Sequence, residues 1–158
     1  MADPVATTRQ GPARVRDYMT ANPETLEASQ SLLDAVLLLK RKEVRHIPIL
    51  ENGLLAGVLS DRDIARCAPS MLLPLPAQEY NRVFEETLIG KVMTHPPITT
   101  IAPEASLAEA VGLVSRNHLG CLPVVEGTKL VGIITVNDML RALYDILAPI
   151  PSQPASRQ

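Results

Sequence analysis

Two places in the chain carry a hydroxyl and a carboxylate at the same spacing. One reads Gly57-Val-Leu-Ser60-Asp-Arg-Asp63 and the other Gly132-Ile-Ile-Thr135-Val-Asn-Asp138, so both follow G-h-h-[S/T]-x-x-D, with h an apolar residue. At a helix start, two such groups three residues apart lie on one side of the first turn, beside backbone N–H groups that have no intrahelical partner and attract anions. The pair suits a sugar diol next to a phosphate. The carboxylate can accept two charge-assisted hydrogen bonds from vicinal hydroxyls, while the hydroxyl and the helix end face a phosphate or ribose oxygen. The same spacing is also a capping box, a purely structural device. A capping box prefers Glu or Gln, whose longer arm reaches back to the N-cap, so the shorter Asp in both copies tips the reading toward a ligand.

Other groups offer less. Cys67 and Cys121 cannot build a disulfide framework, and no C-x-x-C or H-x-x-x-H spacing marks a structural zinc site, so both read as buried, reduced thiols and no metal is expected. No charged activator adjoins Cys121 in sequence, which favours an inert thiol over a redox switch. His46 can be a phosphate donor, a pH-sensitive switch or a half-buried strand residue. His118 closes a helix, where an imidazole suits the negative dipole end, and His95 lies in a connector before Pro96-Pro97. Arg62 falls in the first turn of a helix, where a cation opposes the dipole, and Asp61 and Asp63 are the nearest anions to compensate it. Lys40-Arg41-Lys42 followed by Arg45 reads as a solvated helix end, sufficient for one or two phosphates but poor evidence for duplex binding. No P-loop, dinucleotide fingerprint or nucleophile motif is present, and the two aspartates occupy equivalent positions rather than one site, so catalysis is not expected.

The elements that position these groups occur twice. Ser31–Arg66 aligns with Ser106–Arg141 without a gap at an offset of 75, with a dozen of 36 positions identical, among them Pro48/Pro123, Gly57/Gly132 and Asp63/Asp138. Upstream the offset becomes 74, pairing Met19-Thr20 with Met93-Thr94, Pro23 with Pro97 and Thr25 with Thr99. In each copy a Ser-capped segment with helical apolar spacing, 31–40 or 106–115, precedes two short apolar strands. The first pair, His46–Leu50 and Leu54–Leu59, flanks the turn Glu51-Asn-Gly53; its partner hairpin spans Cys121–Val125 and Lys129–Ile134. A second helix begins near Ser60 and near Thr135. Each unit is therefore a short strand, helix, strand, strand, helix, an α+β arrangement that is marginal alone and gains by packing on its partner.

We divide the chain into a flexible N-terminus (1–12), a first unit (13–68), a Pro-rich linker or insertion with a helix-compatible stretch Gln78–Glu86 (69–86), a second unit (87–147) and a flexible tail (148–158). The 158 residues are 46% hydrophobic and 20% charged, with a formal charge of -2, so no global positive field gathers nucleic acid or anionic membrane. No apolar run approaches a membrane span and residues 1–12 lack a secretory core, so a cytoplasmic address is expected. Three Tyr, one Phe and no Trp leave few platforms for stacking bases.

The order Met-Thr-x-x-Pro-x-Thr, amphipathic helix, strand ending in [I/L]-P-[I/V], then G-h-h-[S/T]-x-x-D resembles a CBS domain, here a tandem pair covering about Val15–Arg66 and Leu88–Leu147. Arg45-His-Ile-Pro48 and Ser60-Asp-Arg-Asp63 resemble forms frequent in small bacterial CBS-pair proteins. The resemblance implies two units packed sheet to sheet with pseudo-twofold symmetry. It also implies two clefts for adenosine-containing ligands such as AMP, ADP, ATP or S-adenosylmethionine. Magnesium could accompany a polyphosphate, although no carboxylate cluster demands it. By the same resemblance Asp63 and Asp138 hold ribose hydroxyls, with Ser60 and Thr135 beside them. Adenine lies against Ile47-Pro48 or Leu122-Pro123 and near Thr25 or Thr99, and Arg45 and His46 reach phosphate.

The second copy departs from the first, with Gly120 and Cys121 in place of Arg45 and His46, and Val136-Asn137 in place of Asp61-Arg62. The Asp63 cleft should then take a polyphosphate better, unless basic side chains cross between copies. The expected function is a non-enzymatic sensor of an adenosyl ligand that signals to a separate partner protein. A structural dimerisation module with vestigial clefts is the alternative, and a small enzyme the less favoured third. Surplus apolar residues on Met139–Leu147 suggest an interface, and the family often dimerises through these helices.

Overall fold

The computed structural model describes residues 13–69 and 75–148. The N-terminus assigned to 1–12 and all but the first residue of the tail assigned to 148–158 lie outside the described residues. In chain order the elements are α1 (Val15–Tyr18), β1 (Thr20–Ala21), β2 (Leu26–Glu27), α2 (Leu32–Lys42), β3 (His46–Glu51), β4 (Leu54–Ser60), α3 (Asp61–Cys67), α4 (Ala77–Glu86), a 3-10 turn (Ile89–Lys91), α5 (Leu107–Asn117), β5 (Cys121–Glu126), β6 (Lys129–Thr135) and α6 (Val136–Leu147).

Local chemistry explains the boundaries. Ser31 caps α2 by accepting from the Asp34 N–H, and Ser106 caps α5 by accepting from the Glu109 N–H. Both helices end on a residue in the left-handed region, Glu43 (φ 53°) and His118 (φ 53°), whose repeat positions correspond. The two hairpins are antiparallel and share the same irregularity, a register shift after Ile49 in β3 and after Val124 in β5.

Two three-stranded sheets result, ordered β2-β3-β4 and β1-β6-β5, with β4 and β6 in contact across the pseudo-twofold axis. Each core draws on both of the segments 13–68 and 87–147. The core around α2, β3, β4 and α3 (Leu32, Ala35, Leu38, Ile47, Ile49, Leu59, Ile64) is completed by Ile89 and Met93, from after the linker. The core around α5, β5, β6 and α6 (Leu107, Ala110, Leu122, Val124, Ile134, Met139, Ala142) is completed by Val15 and Tyr18, from the start of the chain. Each unit lends its leading segment to the other, so neither core closes without both copies.

The motif glycines permit this exchange. β1 runs antiparallel to β6, with Ala21 opposite Gly132, and Thr94 bridges β4 at Val58 beside Gly57. A Cβ on Gly57 would stand 2.4 Å from Met93 Sδ and 2.7 Å from the Thr94 carbonyl oxygen; one on Gly132 would stand 2.6 Å from Met19 Sδ. At Gly57 the backbone oxygen itself stands in the way, so the absence of a side chain is what lets the Met93-Thr94 segment cross; at Gly132 the nearest atom is a thioether that can move.

Candidate functional site

Both hydroxyl–carboxylate pairs fold into complete capping boxes, at the starts of α3 and α6. Asp63 Oδ2 accepts from the Ser60 N–H (2.9 Å) and from Ser60 Oγ (2.6 Å), and the Asp63 N–H donates to Ser60 Oγ (3.2 Å). Asp138 Oδ2 accepts from the Thr135 N–H (2.8 Å) and Oγ1 (2.8 Å), and its own N–H donates back at 3.4 Å. Asp thus closes the box as well as the preferred Glu or Gln would, and its shorter arm does not favour a ligand over a cap. Ser31 and Asp34 of α2 close the same box with Asp. The box itself therefore does not mark a ligand site.

Two cavities open where the repeats meet, and each takes one of the two boxes. The larger, about 670 Å³, is lined by Thr135, Asn137 and Asp138 of the second repeat, by Asn22, Pro23 and Glu24, and by Lys42, Arg45, His46, Asp61 and Arg62 of the first. The smaller, about 250 Å³, is lined by Ser60, Asp63 and Arg66, by Pro97, Ile98 and Thr99, and by Gly120, Cys121 and Pro123 of the second repeat. Segment exchange dictates these combinations. Because β1 lies on β6, the connector after it reaches Asp138; because Thr94 lies on β4, the connector after it reaches Asp63.

His46, Arg62, His118, Leu119 and Gly120 border both cavities. Ile47, Pro48 and Leu122 are buried in or beside the cores, and neither they nor Thr25 borders either cavity. Lys42, Asn22 and Arg141 line the larger cavity although sequence reasoning did not single them out as site residues. The basic cluster ending α2 was the available signal for Lys42. The condition on the charge asymmetry is met, because Arg45 crosses from the first repeat to the cavity that holds Asp138.

Each aspartate keeps its second oxygen outside the box. Asp63 Oδ1 accepts from Arg66 Nη1 at 3.4 Å. Asp138, only 7% exposed, has Arg141 Nη2 3.6 Å from Oδ1, and that oxygen accepts no hydrogen bond among the described residues. Most cations around the cavities are already paired: Arg45 Nε donates to Asp61 Oδ2 at 2.9 Å, and Lys42 Nζ lies 2.6 Å from Glu24 Oε1. Burial alone would raise the Asp61 pKa, but the hydrogen bond and charge of Arg45 outweigh it and hold the carboxyl below its usual value. Asp61 and Asp63 thus pair with Arg45 and Arg66, and among the described residues neither forms a direct ion pair with Arg62.

Burial lowers the His46 pKa below 6.5; Asp61 and Asp63 pull the other way, while Arg45 and Arg62 reinforce the lowering. The imidazole packs on Gly120, where a Cβ would stand 2.4 Å from Nε2. This explains the departure of the second repeat: a residue like Arg45 at position 120 would collide with His46. Burial pushes the Cys121 thiol up to about 12, and Cys121 is buried as expected, whereas Cys67 is only half-buried, because its short helix end lies at the edge of the core. Among the described residues no cluster of His, Cys, Asp or Glu could hold a metal ion, and no helix is long and apolar enough to cross a membrane.

This arrangement has parallels among known proteins. The chain is 33% identical over 125 residues to the CBS domain-containing protein YhcV of Bacillus subtilis, covering 79% of this chain and 81% of YhcV. The crystal structure of CBSX2 of Arabidopsis thaliana in complex with AMP superposes with a TM-score of 0.71 at 27% identity, covering 85% of this chain and 99% of that one. Inosine-5'-monophosphate dehydrogenase of Mycobacterium tuberculosis is 28% identical over 132 residues, 82% of this chain but 22% of that enzyme. The family model for the CBS domain matches residues 15–70 and again 89–145, the two stretches that carry the repeated motif. With both matches falling on the two halves of one internally repeated fold, the chain belongs to the CBS-domain family and carries a tandem pair of the domain.

Proposed function

We propose that this chain is a non-enzymatic sensor that binds an adenosine-containing ligand, AMP, ADP, ATP or S-adenosylmethionine, between its repeats and signals the binding to a partner protein. The observation that carries the reading is the larger cavity, where the Thr135–Asp138 helix start of one repeat faces Arg45, His46 and Arg62 of the other. A ribose on Asp138 Oδ1 would turn its phosphates toward those basic groups. The cavity volume falls within the roughly 300–1,000 Å³ range of small-molecule sites, whereas the smaller cavity falls below it. α6 is twelve residues long against seven for α3, so its N-terminus adds the stronger dipole beside Asp138. CBSX2, a structural relative at 27% identity, has been crystallised with AMP. The dehydrogenase likeness brings no catalytic activity with it, since this chain spans 22% of that enzyme.

Signalling requires that the ligand bind two packings of the repeats with different affinity. Both cavities lie on the seam between units whose leading segments are exchanged, so a ligand there touches both packing units at once. Self-association belongs to the same proposal. Leu140, Leu143, Tyr144 and Leu147 form an exposed apolar stripe on α6, 49–72% accessible, continuing from Val136 at helical spacing. We assign it to a homodimer of a cytoplasmic protein; sedimentation equilibrium should give a dimer for the native chain and a monomer for Leu143→Glu.

Calorimetric titration with the four ligands tests the sensor reading. Asp138→Asn keeps an acceptor for the capping box and removes the carboxylate charge, so it should weaken binding about tenfold or more, as loss of a charge-assisted hydrogen bond predicts. Asp63→Asn should leave binding within about twofold. A folded native protein that binds none of the four would return the pair to a structural module with vestigial clefts.

A further inference from the structure

We propose that Arg62 is a single cation on which both cavities draw, so that a phosphate-bearing ligand in one cavity disfavours an anion in the other. This rests on the nucleotide-binding reading above and specifies how its two cavities are coupled.

Arg62 borders both cavities. Every other arginine or lysine lining them is already matched to a carboxylate: Lys42 with Glu24, Arg45 with Asp61, Arg141 with Asp138 and Arg66 with Asp63. Arg62 alone has no ion-pair or hydrogen-bonding carboxylate among the described residues, and it stands in the first turn of α3, where a cation is unfavourable and an external anion relieves it. The other two basic groups shared by the cavities, His46 and His118, are imidazoles rather than permanent cations, and burial lowers the His46 pKa further below its ordinary value. The repeat supplies no second copy of the cation, because the position equivalent to Arg62 is Asn137, on the wall of the larger cavity. An anion recruited to either cavity therefore competes for one guanidinium. The coupling is reciprocal by thermodynamic necessity.

The test uses the full chain, with adenosine, AMP and inorganic phosphate as probes and with Arg62→Gln and Asn137→Arg as variants. Arg62→Gln should weaken AMP about tenfold and leave adenosine within about twofold, since only the phosphate meets the guanidinium. Phosphate is small enough for either cavity, so its binding to AMP-saturated protein reads charge competition rather than size. It should bind the AMP-saturated native chain at least about tenfold more weakly than AMP-saturated Asn137→Arg, in which the larger cavity has its own cation and Arg62 is released. Equal phosphate uptake by these two proteins, or an Arg62→Gln variant in which AMP is unaffected or weakened no more than adenosine, would overturn the inference while leaving nucleoside binding intact. A native chain that binds neither adenosine nor AMP would overturn the functional reading and this coupling together.

Discussion

Replacing Gly57 with alanine tests the claim that the motif glycines exist to pass a segment exchanged between repeats. The new Cβ would meet the Thr94 carbonyl oxygen at 2.7 Å and Met93 Sδ at 2.4 Å, against about 3.4 Å for ordinary contact. The thioether can swing away, but the carbonyl is backbone, held by Val58 N–H to Thr94 O (3.3 Å) and Thr94 N–H to Val58 O (2.8 Å). Overpacking of this kind costs about 1–3 kcal/mol, and loosening two hydrogen bonds adds about 1 kcal/mol each if they break. Against this, Gly→Ala stiffens the unfolded chain and returns about 0.4–1 kcal/mol. The net expectation is a loss of about 2 kcal/mol, or roughly 4–8 °C in Tm for a domain of this size. Urea denaturation followed by circular dichroism reads it, with two comparisons. Gly132→Ala should cost less, because its Cβ clears the backbone oxygen of Thr20 by 3.1 Å. Gly112→Ala, inside α5 with only the Arg116 guanidinium nearby, should stabilise by about 0.5–1 kcal/mol. A Gly57→Ala protein as stable as the native chain would refute the crossing argument.

Three further outcomes follow from the seam between the repeats. Gly120→Ala should displace the His46 ring, costing about 0.5–1.5 kcal/mol for the off-rotamer side chain, and unchanged His46 ring resonances would contradict the contact. Because the folded pKa of His46 lies below its unfolded value, the unfolded chain binds more protons, so stability is full above pH 6.5 and falls as pH drops toward the folded value. His46→Asn should remove that part of the slope between pH 7 and 5 in urea midpoints, despite Asp61, Asp63, Arg45 and Arg62 facing the ring; an identical slope would show that His46 does not carry it. In Cys67→Ser protein, Cys121 should resist a thiol-specific disulfide reagent at pH 8 until denaturant is added, since burial pushes its thiol up to about 12, and rapid labelling of the native protein would contradict this.

The repeat and its elements were legible because helix caps, hairpin turns and apolar spacing are local. Ser31 and Ser106 cap the expected helices, and each hairpin lies where its strands and turn residues placed it. The exchange of leading segments was not legible, because Met19-Thr20 and Met93-Thr94 carry the same residues whichever unit they complete. For the same reason the proviso on the Asp63 cleft could not be decided from sequence: Arg45 crosses between copies and lines the cavity of Asp138. Spacing alone also could not separate a capping box from a ligand site, since Ser31–Asp34 forms the box away from both cavities. The substitution of Gly120 for a basic residue read as a loss of positive charge beside one motif. In three dimensions it is the space that His46 occupies.

A crystal structure of the full chain grown with AMP would test the functional reading most directly. The account predicts AMP in the larger cavity, its ribose hydroxyls on Asp138 Oδ1 and its phosphate toward Arg45 and Arg62. AMP bound with its ribose on Asp63 while the larger cavity stays empty, or bound away from both aspartates, would contradict it.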